Sequence, residues 1–148
     1  MFPDEFKRVF GRHPADAIIP YRMEDAELAL VSMGTTAATV RTAVDSARAQ
    51  GRKVGAVRIR MFRPFPEELL RELLGSCRRI NFVDRDISLG HGGVLWSEGR
   101  GTLAPGTIAQ GYVIGLGGGD IRPQHVEELI EDLAGREQAA APRIVEVG

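Results

Sequence analysis

The stretch Glu27-Leu-Ala-Leu-Val-Ser-Met-Gly-Thr-Thr36 decides the fold. Leu28 to Met33 is apolar apart from Ser32 and lacks the polar alternation of a half-exposed strand, so it reads as a strand buried on both faces. Gly34 ends the run. Thr35 or Thr36 can then cap a helix, because a hydroxyl there accepts an N–H that the first turn leaves unpaired. Val40, Val44 and Ala47 share one face of that helix to about Gln50, and Gly51 suits a left-handed stop. Val54–Met61 follows as a second strand, with Val57, Ile59 and Met61 alternating against Arg58 and Arg60. Strand, helix and strand at this spacing form a βαβ unit, whose crossover is right-handed.

The alternation continues toward the C-terminus. Arg63-Pro-Phe-Pro66 forms a turn, and Pro66 suits a first helical position, with Glu67 and Glu68 at the positive end of the dipole. Leu69, Leu70, Leu73 and Leu74 give that helix a core stripe, closed by Gly75. Arg79–Asp84 is a short strand, the glycine-rich stretch from Ile87 to Gly101 runs into a helix over Val94–Leu103, and Thr107–Leu116 is a further strand. Pro123 opens a last helix with Val126, Leu129, Ile130 and Leu133 on one face. The alanine-rich tail from Glu137 to Pro142 reads as mobile, and Ile144–Val147 as either a final strand or disordered. Toward the N-terminus, Ala17–Tyr21 is a short strand entered through Pro14 and limited by Pro20. Before it, Phe2, Phe6, Val9 and Phe10 make an amphipathic opening. Residues 1–16 are thus a lead-in, 17–136 one α/β domain, and 137–148 a tail.

The 148 residues suit one domain with a real core, and 43% apolar with 26% charged residues match a soluble globular chain. A net charge of −1 points to neither nucleic acid nor an anionic membrane. Apolar runs such as Leu28–Met33 are too short to span a bilayer. Met1-Phe2-Pro3-Asp4-Glu5 does not read as a signal peptide. The lone Cys77 can form no intramolecular disulfide, nor hold a cluster or zinc by thiolates alone, which fits a reducing cytoplasm.

In a parallel sheet, function sits beyond the carboxyl ends of the strands. Ser32, Gly34, Thr35 and Thr36 can form either an anion site at a helix start or a plain helix cap. Arg60, Arg63 and Phe65, in Arg60-Met-Phe-Arg-Pro-Phe-Pro66, can anchor an interface or line a rigid turn. Asp84-Arg-Asp-Ile-Ser-Leu-Gly-His-Gly-Gly93 is the richest stretch. It reads either as a pocket rim with Asp84, Asp86 or His91 near a substrate, or as a loop that satisfies itself through Asp84 and Arg85. His13, His91 and His125 lack metal-ligand spacing, and His125 reads as a surface residue. Gly115-Leu-Gly-Gly-Gly-Asp120 is compatible with phosphate. The chain has no Cys-x-x-Cys, nucleophile elbow or His-Glu-x-x-His, and no Gly-Asp-Gly with a distant Asn-Asn pair to hold magnesium and thiamine diphosphate. No residue is assigned as catalytic or as a metal ligand.

Several segments occur in one consistent order: Glu24-Asp-Ala-Glu27, Val31-Ser-Met-Gly34, Lys53-Val-Gly55, Arg58-Ile-Arg-Met-Phe-Arg-Pro-Phe-Pro66, Asp84-Arg-Asp86 with Ser88, Gly90, Gly92 and Gly93, and Gly115-Leu-Gly-Gly-Gly-Asp-Ile121. Over about Tyr21 to Leu133 this series resembles the transketolase C-terminal-like domain in the alpha subunit of pyruvate:ferredoxin oxidoreductases (pyruvate synthases) and related 2-oxoacid:ferredoxin oxidoreductases. Asp86 stands where that family often has Asn.

The resemblance implies a three-layer α/β/α domain with a mixed, mainly parallel five-stranded sheet whose first strand runs against the others. It also implies an assembly that oxidatively decarboxylates a 2-oxoacid such as pyruvate to an acyl-CoA, passing electrons to ferredoxin. Thiamine diphosphate, magnesium, iron–sulfur clusters and coenzyme A belong to the parent assembly, with no cofactor on this chain. The chain reads as either a cloned fragment or a separately encoded subunit. Ser32, Gly34, Thr35, Arg60, Arg63, Phe65, Asp84, Arg85, Asp86, Ser88, Gly90, Gly92 and Gly93 are the expected interface or supporting residues. The alternative is a stand-alone module binding small anions or coenzyme A phosphates through Ser32–Thr36 or Gly117–Gly119.

Overall fold

A computed structural model describes residues 2–11 and 16–147. His13 and Pro14, singled out above, lie outside the described residues. Helix α1 (Phe2–Phe10) precedes an alternation of β1 (Ile18–Tyr21), β2 (Leu28–Met33), α2 (Thr36–Ala49), β3 (Val54–Ile59), α3 (Glu67–Leu74) and β4 (Arg79–Asp84). It continues through α4 (Val94–Gly99), β5 (Ile108–Ile114), α5 (Pro123–Ala134) and β6 (Arg143–Val145). One sheet runs in the order β1-β3-β2-β4-β5-β6. β2, β3, β4, β5 and β6 are mutually parallel, and β1 lies antiparallel to β3, with Tyr21 opposite Ala56. Pro20 is tolerated inside β1 because an edge strand need not pair every N–H.

The strand period sorts the core into two layers. Leu28 and Leu30 join Val40, Val44, Leu129 and Leu133 under α2 and α5. Ala29 and Val31 face the opposite side and meet Leu70, Leu74, Phe82, Leu95 and Trp96 under α3 and α4. Burying a Leu or Phe side chain in this way stabilises by about 2–3 kcal/mol. Both faces of the central strands are covered, which explains the unbroken apolar run of β2.

The sheet has six strands rather than five. β6 adds to β5, with Tyr112 opposite Arg143, and tertiary contacts hold it there. Gln110 Nε2 donates to the Ala141 carbonyl at 2.8 Å, and Arg143 Nη1 reaches Asp132 at 3.1 Å. The sequence leaves Ile144–Val147 open between a final strand and disorder, because so short a strand carries too little pattern of its own to decide.

Other boundaries also differ from the sequence reading. β3 stops at Ile59, so Arg60 and Met61 lie in the following turn. The helix expected over Val94–Leu103 ends at Gly99 and continues as a 3-10 turn, Arg100–Thr102. Leu69 is 49% exposed and drops out of the core stripe, whereas Leu70 and Leu74 are buried. Pro66 precedes α3, and Thr35 precedes α2 without a side-chain capping bond.

Candidate functional site

Because β2 to β5 run parallel, the four glycine-rich or charged segments that follow them emerge at one edge of the sheet. The segment after β4 is built on Asp84, which is 1% exposed. Its carboxylate accepts the backbone N–H groups of Leu95 at 2.9 Å and Trp96 at 3.2 Å, so it caps α4 from ten residues upstream of that helix. Burial pushes the Asp84 carboxyl up to about 7; the two N–H donors oppose the rise, and the neighbouring Asp86 carboxylate adds to it.

Between Asp84 and α4 the chain closes on itself. Ser88 N–H donates to the Gly92 carbonyl at 2.7 Å, and His91 N–H to the Ser88 carbonyl at 2.9 Å. Gly90 and Gly92 supply the left-handed backbone that this tight loop requires. Asp84 therefore orders the backbone at the start of α4. The His91 ring is exposed, with Nδ1 3.2 Å from the Leu89 carbonyl. His125 is half-buried, and its Nδ1 accepts the Arg122 N–H at 3.2 Å at the start of α5.

Arg85 links two of the segments by donating to the Gly119 carbonyl at 3.0 Å. Together with Thr35, Thr36, Thr39, Gly118 and Asp120 it lines a cleft of about 320 Å³. The start of α2, the loop after β5 and the end of β4 thus meet. Ser32 takes no part in this cleft. It is 1% exposed and is among the residues lining a separate cavity of about 100 Å³ under α2.

The turn after β3 is tied to α4. Arg63 stacks on Phe62 at 4.2 Å and donates to Glu98 at 2.7 Å, while Phe62 and Phe65 meet edge-on at 5.5 Å. Arg63–Pro64 is a cis peptide bond. Arg60 is exposed, and Phe65 is half-buried against the α3–α4 core layer.

Exposed apolar side chains stand on this edge. Met61, read above as alternating inward with Val57 and Ile59, instead lies past the end of β3, while Ile87 and Leu89 follow β4 and Leu116 follows β5; all are exposed, and Leu89 is 90% so. The one signal for Leu89 in the sequence is an isolated large apolar residue between Ser88 and Gly90, with no helical or strand partner.

Among the described residues, no group of three or more His, Cys, Asp or Glu side chains can hold a metal ion. Cys77 is buried, and burial raises its thiol pKa. These side chains do not fit magnesium–thiamine diphosphate or an iron–sulfur cluster, and no chemical step is assigned through either. Among the described residues, no helix is long and apolar enough to cross a membrane.

A family model described as pyruvate:ferredoxin oxidoreductase core domain II matches residues 26–126. Pyruvate synthase subunit PorA of Thermotoga maritima is 41% identical over 138 residues, covering 89% of this chain and 35% of that protein. Pyruvate synthase subunit PorA of Methanothermobacter thermautotrophicus is 36% identical over 126 residues, with 85% and 32% covered. Ketoisovalerate oxidoreductase subunit VorA of Pyrococcus horikoshii is 39% identical over 132 residues, with 87% and 34% covered. The chain spans about a third of the length of these relatives.

Proposed function

The chain belongs to the pyruvate:ferredoxin oxidoreductase core domain II family, and from that premise we propose that it is the partner-facing domain of a 2-oxoacid:ferredoxin oxidoreductase alpha subunit. The parent assembly decarboxylates a 2-oxoacid such as pyruvate in the cytoplasm, with thiamine diphosphate, magnesium and iron–sulfur clusters held by other domains or subunits. It forms an acyl-CoA and reduces ferredoxin. This domain binds no cofactor and supplies no reacting group.

The observation that carries the proposal is the set of exposed apolar side chains at the carboxyl edge. Met61, Ile87, Leu89 and Leu116 lie among exposed Gly34, Thr35, Arg60, Arg85, Asp86, Ser88 and Gly90. Apolar groups ringed by polar ones mark surfaces that lose water to a partner. Asp84, Gly92 and Gly93 brace the loop from beneath, while Arg63 and Phe65 brace the adjacent turn. Ser32 lies below that surface.

Mixing the chain with the remaining subunits of such an oxidoreductase should give pyruvate:ferredoxin activity that depends on it. Ile87→Asp with Leu89→Asp should weaken its co-elution with those subunits while leaving its own unfolding midpoint unchanged. Activity that never depends on this chain sinks the proposal.

A second reading, a stand-alone binder of coenzyme A phosphates, is favoured by the meeting of Thr35, Thr36, Arg85 and Gly118 around one cleft. Asp120 in the same cleft opposes it. Calorimetry with coenzyme A and inorganic phosphate separates the two readings, since only the second predicts heat at millimolar ligand.

A further inference from the structure

We propose that the cavity between α2 and the β1–β3–β2 side of the sheet binds a small carboxylate, held by Arg41 and Arg58 with one oxygen on the Ser32 hydroxyl. The site is independent of the partner-facing role and uses none of its exposed apolar residues.

The sheet register builds the floor. Arg58 lies beside Ile19 on one strand and Ser32 on the other, and Ala56 lies beside Tyr21 one period along. These five residues line the cavity with Ala37, Ala38 and Arg41 of α2. The space exists because α2 presents alanines there, and nothing larger descends onto the Ser32–Arg58 row. Its volume of about 100 Å³ is room for several waters or for a ligand of a few heavy atoms.

Three features of the lining call for an anion. Ser32 Oγ is fully buried without a hydrogen-bond partner, and a buried hydroxyl left so is destabilising. Among the described residues no ion pair engages Arg41 or Arg58, whereas Arg22, Arg48, Arg52 and Arg63 each hold a carboxylate. Arg41 lies over the Tyr21 ring at 4.3 Å, which holds its guanidinium at the cavity wall that Tyr21 forms. The nearby Asp45 is already engaged, by the Tyr21 hydroxyl at 2.8 Å and Arg22 at 2.9 Å.

The walls choose among anions. Guanidinium forks match the planar oxygens of a carboxylate. Ile19, Ala37, Ala38 and Ala56 leave an apolar recess that suits a short alkyl chain. A phosphate would leave that recess unmatched, and a nucleotide exceeds the volume.

The test is an NMR titration of the 148-residue chain with sodium propionate, sodium phosphate and sodium chloride at constant ionic strength. Propionate should produce saturable amide shifts at Ser32, Ala37 and Ala38, with a Kd on the order of millimolar for so few atoms. Loss of a hydrogen bond to a charged group should weaken binding about tenfold in Ser32→Ala and in Arg58→Gln. Ala38→Leu fills the recess without removing charge and should abolish the shifts, and thermal unfolding of each variant establishes that it folds. Absence of saturable shifts with propionate overturns the proposal. So does undiminished binding in Ala38→Leu, or a preference for phosphate over propionate.

Discussion

Gly93 lies directly against the Asp84 carboxylate, so that a Cβ at this position would collide with the Oδ2, Cγ and Cβ atoms of Asp84. The same carboxylate accepts the first N–H groups of α4, which leaves it nowhere to retreat. The glycines of this loop therefore serve close packing as well as turning.

Gly93→Ala should destabilise the chain by about 1–3 kcal/mol through overpacking against a buried carboxylate. Gly101→Ala, which meets nothing within 4 Å, is the matched control and should change stability by less than about 0.5 kcal/mol. Urea unfolding midpoints check both. Equal effects at the two positions contradict the account.

Asp84 makes stability depend on pH. Burial raises its folded value from the ordinary 3.8 to about 7, so the folded state holds a proton that the unfolded state releases. The contribution is fully present below about pH 4 and is lost as pH rises through about 7, at no more than about 1.4 kcal/mol per pH unit. Asp84→Asn cannot titrate. The stability difference between wild type and this variant should therefore shift against wild type between pH 4.5 and 7.5. A difference that stays constant over that range rules out the raised value.

Leu70→Ala should cost about 2–5 kcal/mol, because it empties a fully buried site between α3 and the sheet. Leu69→Ala, one residue away on an exposed flank, should cost less than about 1 kcal/mol. Thermal unfolding of the pair measures the contrast. The leucine pattern alone treats both as core, and only the direction from which the sheet approaches α3 separates them.

Asp132 holds the last strand in place. It accepts from the Tyr112 hydroxyl, from Arg136 at 2.8 Å and from Arg143 at 3.1 Å. Burial of the Tyr112 ring, and after it the Asp132 contact, raise the pKa of Tyr112. Asp132→Ala should speed amide hydrogen exchange across Arg143–Val145 while β2 and β4 stay protected. Unchanged exchange in β6 would show that backbone pairing alone retains it.

The central βαβ unit was legible because its physics is local. Leu28–Met33 carries enough apolar residues to demand cover on both faces, and Val40, Val44 and Ala47 keep helical period. The family motifs likewise lie in contiguous runs, so order and spacing along the chain suffice to place them. The sequence by itself thus determined the α/β class, the parallel core strands and the family.

Tertiary structure decided what depends on residues far apart in the chain. That Asp84 caps α4 turned on where Leu95 returns, and no local pattern encodes that approach. Arg85 met Gly119, and Arg63 met Glu98, across 34 and 35 residues. Arg143-Ile-Val145 became a strand only because Gln110, Asp132 and β5 await it. Ser32 shares a cavity lining with Ala37 and Ala38 of α2, and its hydroxyl is left without a partner. Periodicity reports which face of an element is apolar, but the free energy of a polar side chain is set by the atoms that folding brings to it, and those come from distant parts of the chain.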